Sequence, residues 1–271
     1  MLGLYPLCCV QTHNTHNDVC IIIVAECLLD LNFAVDSSGS INYKDPNNWD
    51  LALQFVANIS SEFTIGPNDV QVAFVLFGDA ATVEWDLTRY RDKPSLIRAI
   101  LSVGYLDQRT NLNDALYLTR TEVFAPGRGT RSNAIKVTII LTDGEDNVPA
   151  VGTPLTLQNA TECKNAGIRL IAVGVSDQID EQRLRQIVSD RRRDYYAVAD
   201  FNALTNLIRD ITPQICATTP VPAPSIRSRS ICYSSGIEYI CSCKMFRGNG
   251  AVKRSDYFVY RCYSAMNLAQ F

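Results

Sequence analysis

Apolar positions along the chain fall into runs whose spacing switches back and forth between strand and helix. Residues 28–35 form a strand-like apolar run that ends in Asp36. Trp49, Leu53, Val56, Ile59 and Phe63 then recur at helical spacing. Residues 70–77 predict a second strand, and Gly78-Asp79 turns it into residues 82–87, a hairpin and so an antiparallel neighbour. Leu96, Ile97, Ile100 and Leu101 predict a short helix; Leu112, Ala115, Leu116, Thr119 and Val123 predict another. Residues 137–141 are almost continuously apolar, as a strand buried on both faces must be. A helix over 156–166, a strand over 168–175, a helix capped by Asp180 and running through 188, and a strand over 195–198 follow. Leu204, Leu207, Ile208 and Ile211 line one face of a closing helix that Pro213 is expected to stop.

Strands alternating with helices in this order predict an α/β fold, a doubly wound, mostly parallel sheet with one antiparallel edge strand. Residues 218–224 (TTPVPAP) carry three prolines and no periodicity, which marks a semi-rigid linker. The chain therefore reads as an N-terminal segment (1–26), one α/β domain (27–216), a linker (217–230) and a small cysteine-rich tail (231–271).

Charge and cysteine usage refine this division. The tail from residue 217 holds seven basic and two acidic residues, against 18 basic and 26 acidic in the rest. An acidic body does not fit nucleic-acid binding, and the basic tail is too diluted by Ser, Tyr and Pro to argue for it. Nine of the ten cysteines (8, 9, 20, 27, 216, 232, 241, 243 and 262) crowd the two ends, with Cys163 alone inside. That distribution suits disulfide staples formed in an oxidising compartment. Cys163 lies on the Ala160/Ala166 face of its helix and reads as a buried free thiol. No apolar run is long enough for a membrane span. Residues 1–26 are apolar but split by polar residues 11–18, with no basic residue ahead of the apolar part, so an atypical leader is the most they suggest.

The candidate chemistry sits at two predicted strand ends. Asp36-Ser37-Ser38-Gly39-Ser40 offers three oxygens, from Asp36, Ser38 and Ser40, in one tight loop. Asp143, in Leu141-Thr142-Asp143-Gly144, ends another buried strand, and Thr110 supplies a hydroxyl just ahead of the helix opened by Asn111 and Leu112. Ligands of open α/β sheets bind at carboxyl ends of strands where the winding reverses. Two carboxylates facing each other there repel unless a cation lies between them. Carboxylate and hydroxyl are hard ligands suited to Mg²⁺ or Mn²⁺, with Ca²⁺ a further option. On the simpler reading, Asp36 and Asp143 only cap loops; Glu145 and Asp146 are read as solvated loop charges.

With all five groups in view, the sequence resembles the von Willebrand factor type A domains. Their metal-ion-dependent adhesion site (MIDAS) has the pattern Asp-x-Ser-x-Ser, a separated Thr and a separated Asp, matched by Asp36, Ser38, Ser40, Thr110 and Asp143. The resemblance implies that Ser38, Ser40 and Thr110 contact the metal directly and that the two aspartates often act through water. It also implies a disulfide between Cys27 and Cys216, because many members bridge their two ends; in the chain-entropy model so long a loop contributes about 5 kcal/mol. The expected function is extracellular adhesion or matrix assembly, without catalysis. The expected partner is a matrix or cell-surface protein, collagen-like or other, that presents an acidic residue, within an oligomeric matrix assembly. The resemblance is closer to matrilin-like and collagen-associated domains than to integrin ones, since the stretch from Asp143 to the next helix leaves little room for an inserted helix.

Other features complete the expectations. Asn58-Ile59-Ser60 and Asn159-Ala160-Thr161 are glycosylation sequons in a secreted chain. Arg191-Arg192-Arg193 reads as a solvated basic turn, or as a site for acidic matrix polymers. Cys232, Cys241, Cys243 and Cys262 resemble the second half of an EGF-like module whose first two cysteines are missing. Two competing classes are an intracellular scaffold of the same fold and a Mg²⁺-dependent phosphoryl-transfer enzyme. The second lacks a P-loop pattern, and its site motifs hold no Lys or Arg.

Overall fold

The computed structural model describes residues 28–144, 153–176 and 179–215, and the backbone of three strands within 229–263. The chain divides into two compact units, one of them Glu26–Cys216. Cys27, Cys216, Glu145, Asp146 and the 145–152 stretch lie outside the described residues, as do the side chains of the tail cysteines.

The larger unit is built on a six-stranded sheet. Its strands are β1 (Leu29–Asp36), β2 (Val70–Phe77), β3 (Ala81–Trp85), β4 (Ile135–Thr142), β5 (Ile168–Val175) and β6 (Tyr195–Val198), in the order β3-β2-β1-β4-β5-β6. All neighbours are parallel except β3, which runs antiparallel to β2 at the edge. From β1 the winding goes one way through β2 and the other way through β4, so the switch point lies between β1 and β4. Val35 is level with Leu141, which puts Asp36 and Thr142 side by side at that point.

The helices are α1 (Asn48–Ser61), α2 (Lys93–Ile100), α3 (Leu112–Leu118), α4 (Thr153–Asn165), α5 (Glu181–Ile187) and α6 (Leu204–Ile215). The two faces of the sheet bury alternate residues of β1. Ala34 joins Ile140, Ala172 and residues of α3, α4 and α5 in one continuous core. Leu29, Leu31, Phe33 and Val35 point the other way and are fully buried.

β1 is less apolar than its burial requires. Asp30 and Asn32 are as inaccessible as the leucines beside them; Asp30 is answered by Arg131 and by Thr130, whose Oγ1 donates to Asp30 Oδ2 at 3.3 Å, and Asn32 by Thr119. Asn32 Nδ2 donates to Thr119 Oγ1 at 3.1 Å. Asp30 receives the Arg131 backbone N–H at 2.7 Å and its Nε at 2.8 Å, while Nη2 reaches Leu29 O and Nη1 reaches Pro67 O. One guanidinium therefore ties the start of β1 to the segments that lead into β2 and β4.

Two helix ends differ from the expectation. The helix opened by Leu112 does not continue unchanged to Val123: after α3 the chain widens into a π-helical turn, Thr119–Val123, closed by Phe124 N–H to Thr119 O at 3.0 Å. The break falls at Thr119, the residue held by Asn32 of the central strand. Pro213 does not stop the last helix, which runs on to Ile215. A proline there forfeits one backbone hydrogen bond, but Ile211 and Ile215, four apart, are both fully buried and hold the last turn in place. Arg169 Nη1 also donates to the carbonyl of Gln214 in that turn.

The smaller unit contains β7 (Arg229–Ser234), β8 (Glu238–Lys244) and β9 (Cys262–Tyr263), an antiparallel sheet with Cys232 opposite Cys241 and Tyr239 opposite Cys262.

Replacing Arg131 with Ala removes the guanidinium paired with the fully buried carboxylate of Asp30 and leaves it only the residue-131 N–H and the Thr130 hydroxyl. A loss of about 3–5 kcal/mol in urea unfolding is expected, because removing one partner leaves a buried charge uncompensated. A loss below about 1 kcal/mol would show that the clamp is a surface ion pair.

Candidate functional site

β1 delivers Asp36 to the switch point, and the chain then curls through Ser37, Ser38, Gly39 and Ser40. The curl is held from two sides. Ser37 N–H donates to Phe77 O at 2.8 Å and Gly39 N–H to Gln108 O at 2.8 Å. The Leu106 N–H donates to Ser37 Oγ at 2.8 Å, and Tyr105 OH donates to Ser38 O at 2.7 Å. At Gly39 these segments meet closely: a Cβ there would come within 2.9 Å of Asp107 Oδ1, so a side chain would have to push the exposed Asp107 carboxylate aside.

The same 105–110 segment brings in Thr110. Asn111 caps α3 by accepting the Asp114 N–H at 3.1 Å, which places Thr110 immediately outside the helix. Asp143 follows the last residue of β4, and its carbonyl accepts from Ser176 Oγ at 3.3 Å.

These pieces converge. Ser38 Oγ and Ser40 Oγ are 3.0 Å apart, and Ser40 Oγ donates to Asp143 Oδ1 at 2.7 Å. Asp36 Oδ1 accepts the Ser38 N–H at 3.0 Å, and Asp36 Oδ2 accepts from Thr142 Oγ1 at 2.6 Å. A Cβ built on Gly144 would lie 3.7 Å from Ser40 Oγ and 4.0 Å from Thr110 Oγ1, so those two hydroxyls border one small space. Asp36, Ser38, Thr110 and Asp143 are buried, whereas Ser40 is exposed, so the cluster opens to solvent on the Ser40 side. All five residues singled out from sequence are thus brought to one place.

Burial sets the electrostatics. Removal from water pushes the Asp36 carboxyl up to about 7, and the charge of Asp143 adds to this, against the bonds from Thr142 and Ser38. Burial also raises Asp143, against the hydrogen bond from Ser40 and the nearby charge of Lys44. Two carboxyls that resist ionisation, ringed by hydroxyls, form a pocket of oxygen donors that a cation would relieve. Among the described residues there is no group of three or more His, Cys, Asp or Glu able to hold a metal. The donors here are two carboxylates and three hydroxyls, a set suited to a hard divalent ion.

Sequence reasoning assigned no role to Thr142 or Ser37. Thr142 hydrogen-bonds the buried oxygen of Asp36, and Ser37 pins the loop that carries Thr110. Each neighbours a residue of the pattern, and the signal available was a hydroxyl at a strand end.

The remaining expectations fall elsewhere. Asn58 lies half-buried on α1 and Asn159 half-buried on α4, where its Nδ2 donates to Asn113 Oδ1 at 2.8 Å. Cys163 is a fully buried free thiol that donates to Leu116 O, and burial pushes it up to about 12.

A family model described as the von Willebrand factor type A domain matches residues 30–210. The collagen alpha-1(XII) chain of Notophthalmus viridescens is 33% identical over 194 residues, covering 71% of this chain and 20% of that protein. Matrilin-3 of Homo sapiens is 31% identical over 222 residues, covering 79% of this chain and 43% of that protein. Among solved structures, proximal thread matrix protein 1 from the mussel byssus is similar at 30% identity and a TM-score of 0.64, over 71% of this chain and 48% of that one. A second structure of that protein, described as having a zinc occupied MIDAS motif, gives the same identity and TM-score. The chain spans less than half the length of these curated relatives.

With chelator present, the folded protein should lose stability as pH rises. The Asp36 carboxyl has an ordinary value of 3.8 and is pushed to about 7 by folding, so the fold favours its protonated form. The contribution is greatest below pH 4 and is lost as pH climbs from 4 to 7, by a few kcal/mol in order of magnitude. Asp36→Asn, which carries no titrating proton, should flatten this slope in urea titrations at successive pH values. An equal slope in parent and variant would place the titration elsewhere.

Proposed function

The chain belongs to the von Willebrand factor type A domain family, and on that premise we propose that it binds another extracellular protein through one divalent cation held by Asp36, Ser38, Ser40, Thr110 and Asp143. The observation that carries this reading is the convergence of the five oxygen-bearing residues at the β1/β4 switch point, two of them carboxyls raised by burial. The relatives are matrix proteins rather than enzymes, and the protein is a secreted matrix protein. No helix among the described residues is long and apolar enough to cross a membrane.

On this reading Ser38, Ser40 and Thr110 supply neutral oxygens, and Asp36 and Asp143 supply the charge that offsets the cation. The hard donors favour Mg²⁺ or Mn²⁺, with Ca²⁺ as a further option. The zinc in the mussel protein's site shows that a related site accepts another divalent ion. When bound, the cation offers an acidic side chain of the partner a charge to coordinate. The side chains of this protein do the rest: Thr142 orients Asp36, Ser40 orients Asp143, and Tyr105 and Ser37 hold the loops in register. The partner is a matrix or cell-surface protein, collagen-like or other.

Three variants test the proposal, read by calorimetric titration of Mg²⁺ and by binding to a panel of immobilised matrix proteins in Mg²⁺ and in chelator. Asp143→Ala should fold and lose cation-dependent binding. Thr110→Ser keeps the oxygen and should retain most binding. Thr110→Val keeps the shape, deletes the oxygen, and should take up Mg²⁺ weakly and bind partner poorly. Equal Mg²⁺ affinity and partner binding for the parent and the valine variant would make Thr110 a loop residue and no ligand.

A further inference from the structure

The turn between α5 and β6 carries Arg191, Arg192 and Arg193 in succession, all exposed. It lies beside Leu170 of β5, toward the start of the strands and away from Asp143. Its backbone is firmly fixed. Ser189 N–H donates to Leu170 O at 3.0 Å and Ser189 Oγ accepts the Leu170 N–H at 2.9 Å. Asp194 N–H donates to Asp190 O at 2.9 Å, and Asp190 N–H donates to Asp194 Oδ2 at 3.0 Å.

The acidic groups nearby are all engaged. Asp190 accepts the Arg192 N–H at 2.9 Å and pairs with Arg193 Nε at 2.8 Å. Asp194 is buried and held by Arg169. Glu181 pairs with Arg185, whose Nη1 donates to Arg191 O at 2.5 Å while its guanidinium stacks 4.3 Å from the centre of the Tyr195 ring. Lys164 adds a further cation. Its Nζ donates to Gln186 O at 3.1 Å and lies near enough to Arg191 for that charge to lower its affinity for a proton, after burial.

Six cations, Lys164, Arg169, Arg185, Arg191, Arg192 and Arg193, thus gather around three carboxylates, those of Glu181, Asp190 and Asp194. Arg191 and Arg192 have no acidic partner among the described residues. Loose arginines on a flexible loop would be an ordinary solvated surface. Here the carboxylates fix the turn, so two guanidinium groups without an acidic partner among the described residues are presented on a rigid backbone, and binding them orders side chains but not the loop.

We propose that this turn is a binding site for a linear sulfated polysaccharide, distinct from the oxygen-lined site at the strand ends. Successive sulfates match successive guanidinium groups in charge, and guanidinium gives up its hydration readily. Sulfated chains are the polyanion that a secreted matrix protein meets. A polysaccharide held here and a protein held at the other end of the sheet would anchor the domain at two points, each raising the effective concentration for the other.

The test is affinity of the full chain for immobilised heparin as salt is raised, with unsulfated hyaluronan and duplex DNA as competitors. The parent should be retained in low salt and displaced by soluble heparin, far less by hyaluronan or DNA. Arg191→Ala with Arg192→Ala should elute at lower salt, and the slope of log affinity against log salt should fall by about two, one for each guanidinium removed. Its thermal unfolding should match the parent's, and chelator should leave retention unchanged. Retention unaffected by the double substitution, no retention at all, or equal displacement by hyaluronan or DNA would each overturn the assignment.

Discussion

Two carboxyl groups taken out of water at the ends of adjacent parallel strands are the constraint on which the rest of this structure depends. Asp36 and Asp143 sit where the sheet reverses its winding, and burial raises both. In an apolar setting that arrangement would be a defect. Here each carboxyl is aimed by a hydroxyl, Thr142 for Asp36 and Ser40 for Asp143, and the surrounding loops are tied to one another before any ligand arrives. Two carboxyls raised by burial are costly to ionise on their own, and on the proposed function a cation between them would offset that cost. That links the electrostatics of the fold to the proposed function.

Holding such a site still requires rigidity at a distance. β1 runs through the middle of the sheet, and all eight of its residues are buried. Its start is clamped by the bonds that Arg131 makes to Asp30, Leu29 and Pro67. Its middle is pinned through Asn32 to Thr119, the first residue of the widened turn after α3. The strand cannot slide or rotate without breaking one of these, so Asp36 arrives at a fixed height beside Thr142. The loop from Tyr105 to Thr110 is positioned by that same end of β1 through Ser37, Ser38 and Gly39.

Much of this was legible in the sequence because its signals are local or periodic. The strands over 70–77 and 168–175 follow from apolar runs bounded by polar or glycine positions, that over 195–198 from a short run between Asp194 and Asp200, and the structure has all three at those limits. The five site residues were legible because Asp-x-Ser-x-Ser, Thr and Asp each stand at a predicted element boundary. What remained hidden is tertiary. Nothing near Asp30 announces that Arg131, a hundred residues on, will neutralise it. Nothing around Thr119 says that Asn32 of the central strand will bond to it where the helix widens. Pro213 reads as a helix stop by local rules, and the burial of Ile215 overrides it. The fixed shape of the Arg191 turn depends likewise on Ser189 meeting Leu170 of β5.

The claim that a divalent ion occupies the space among these five residues is most directly tested by anomalous diffraction. Crystals of the parent protein and of Asp143→Ala would be grown in Mn²⁺, and the anomalous difference map inspected near Gly144. One strong peak is expected in the parent, within direct coordination distance, about 2.1 Å, of the hydroxyls of Ser38, Ser40 or Thr110, and a weak peak or none in the variant. A map with no peak there in the parent, or with its principal peak elsewhere on the molecule, would contradict the claim.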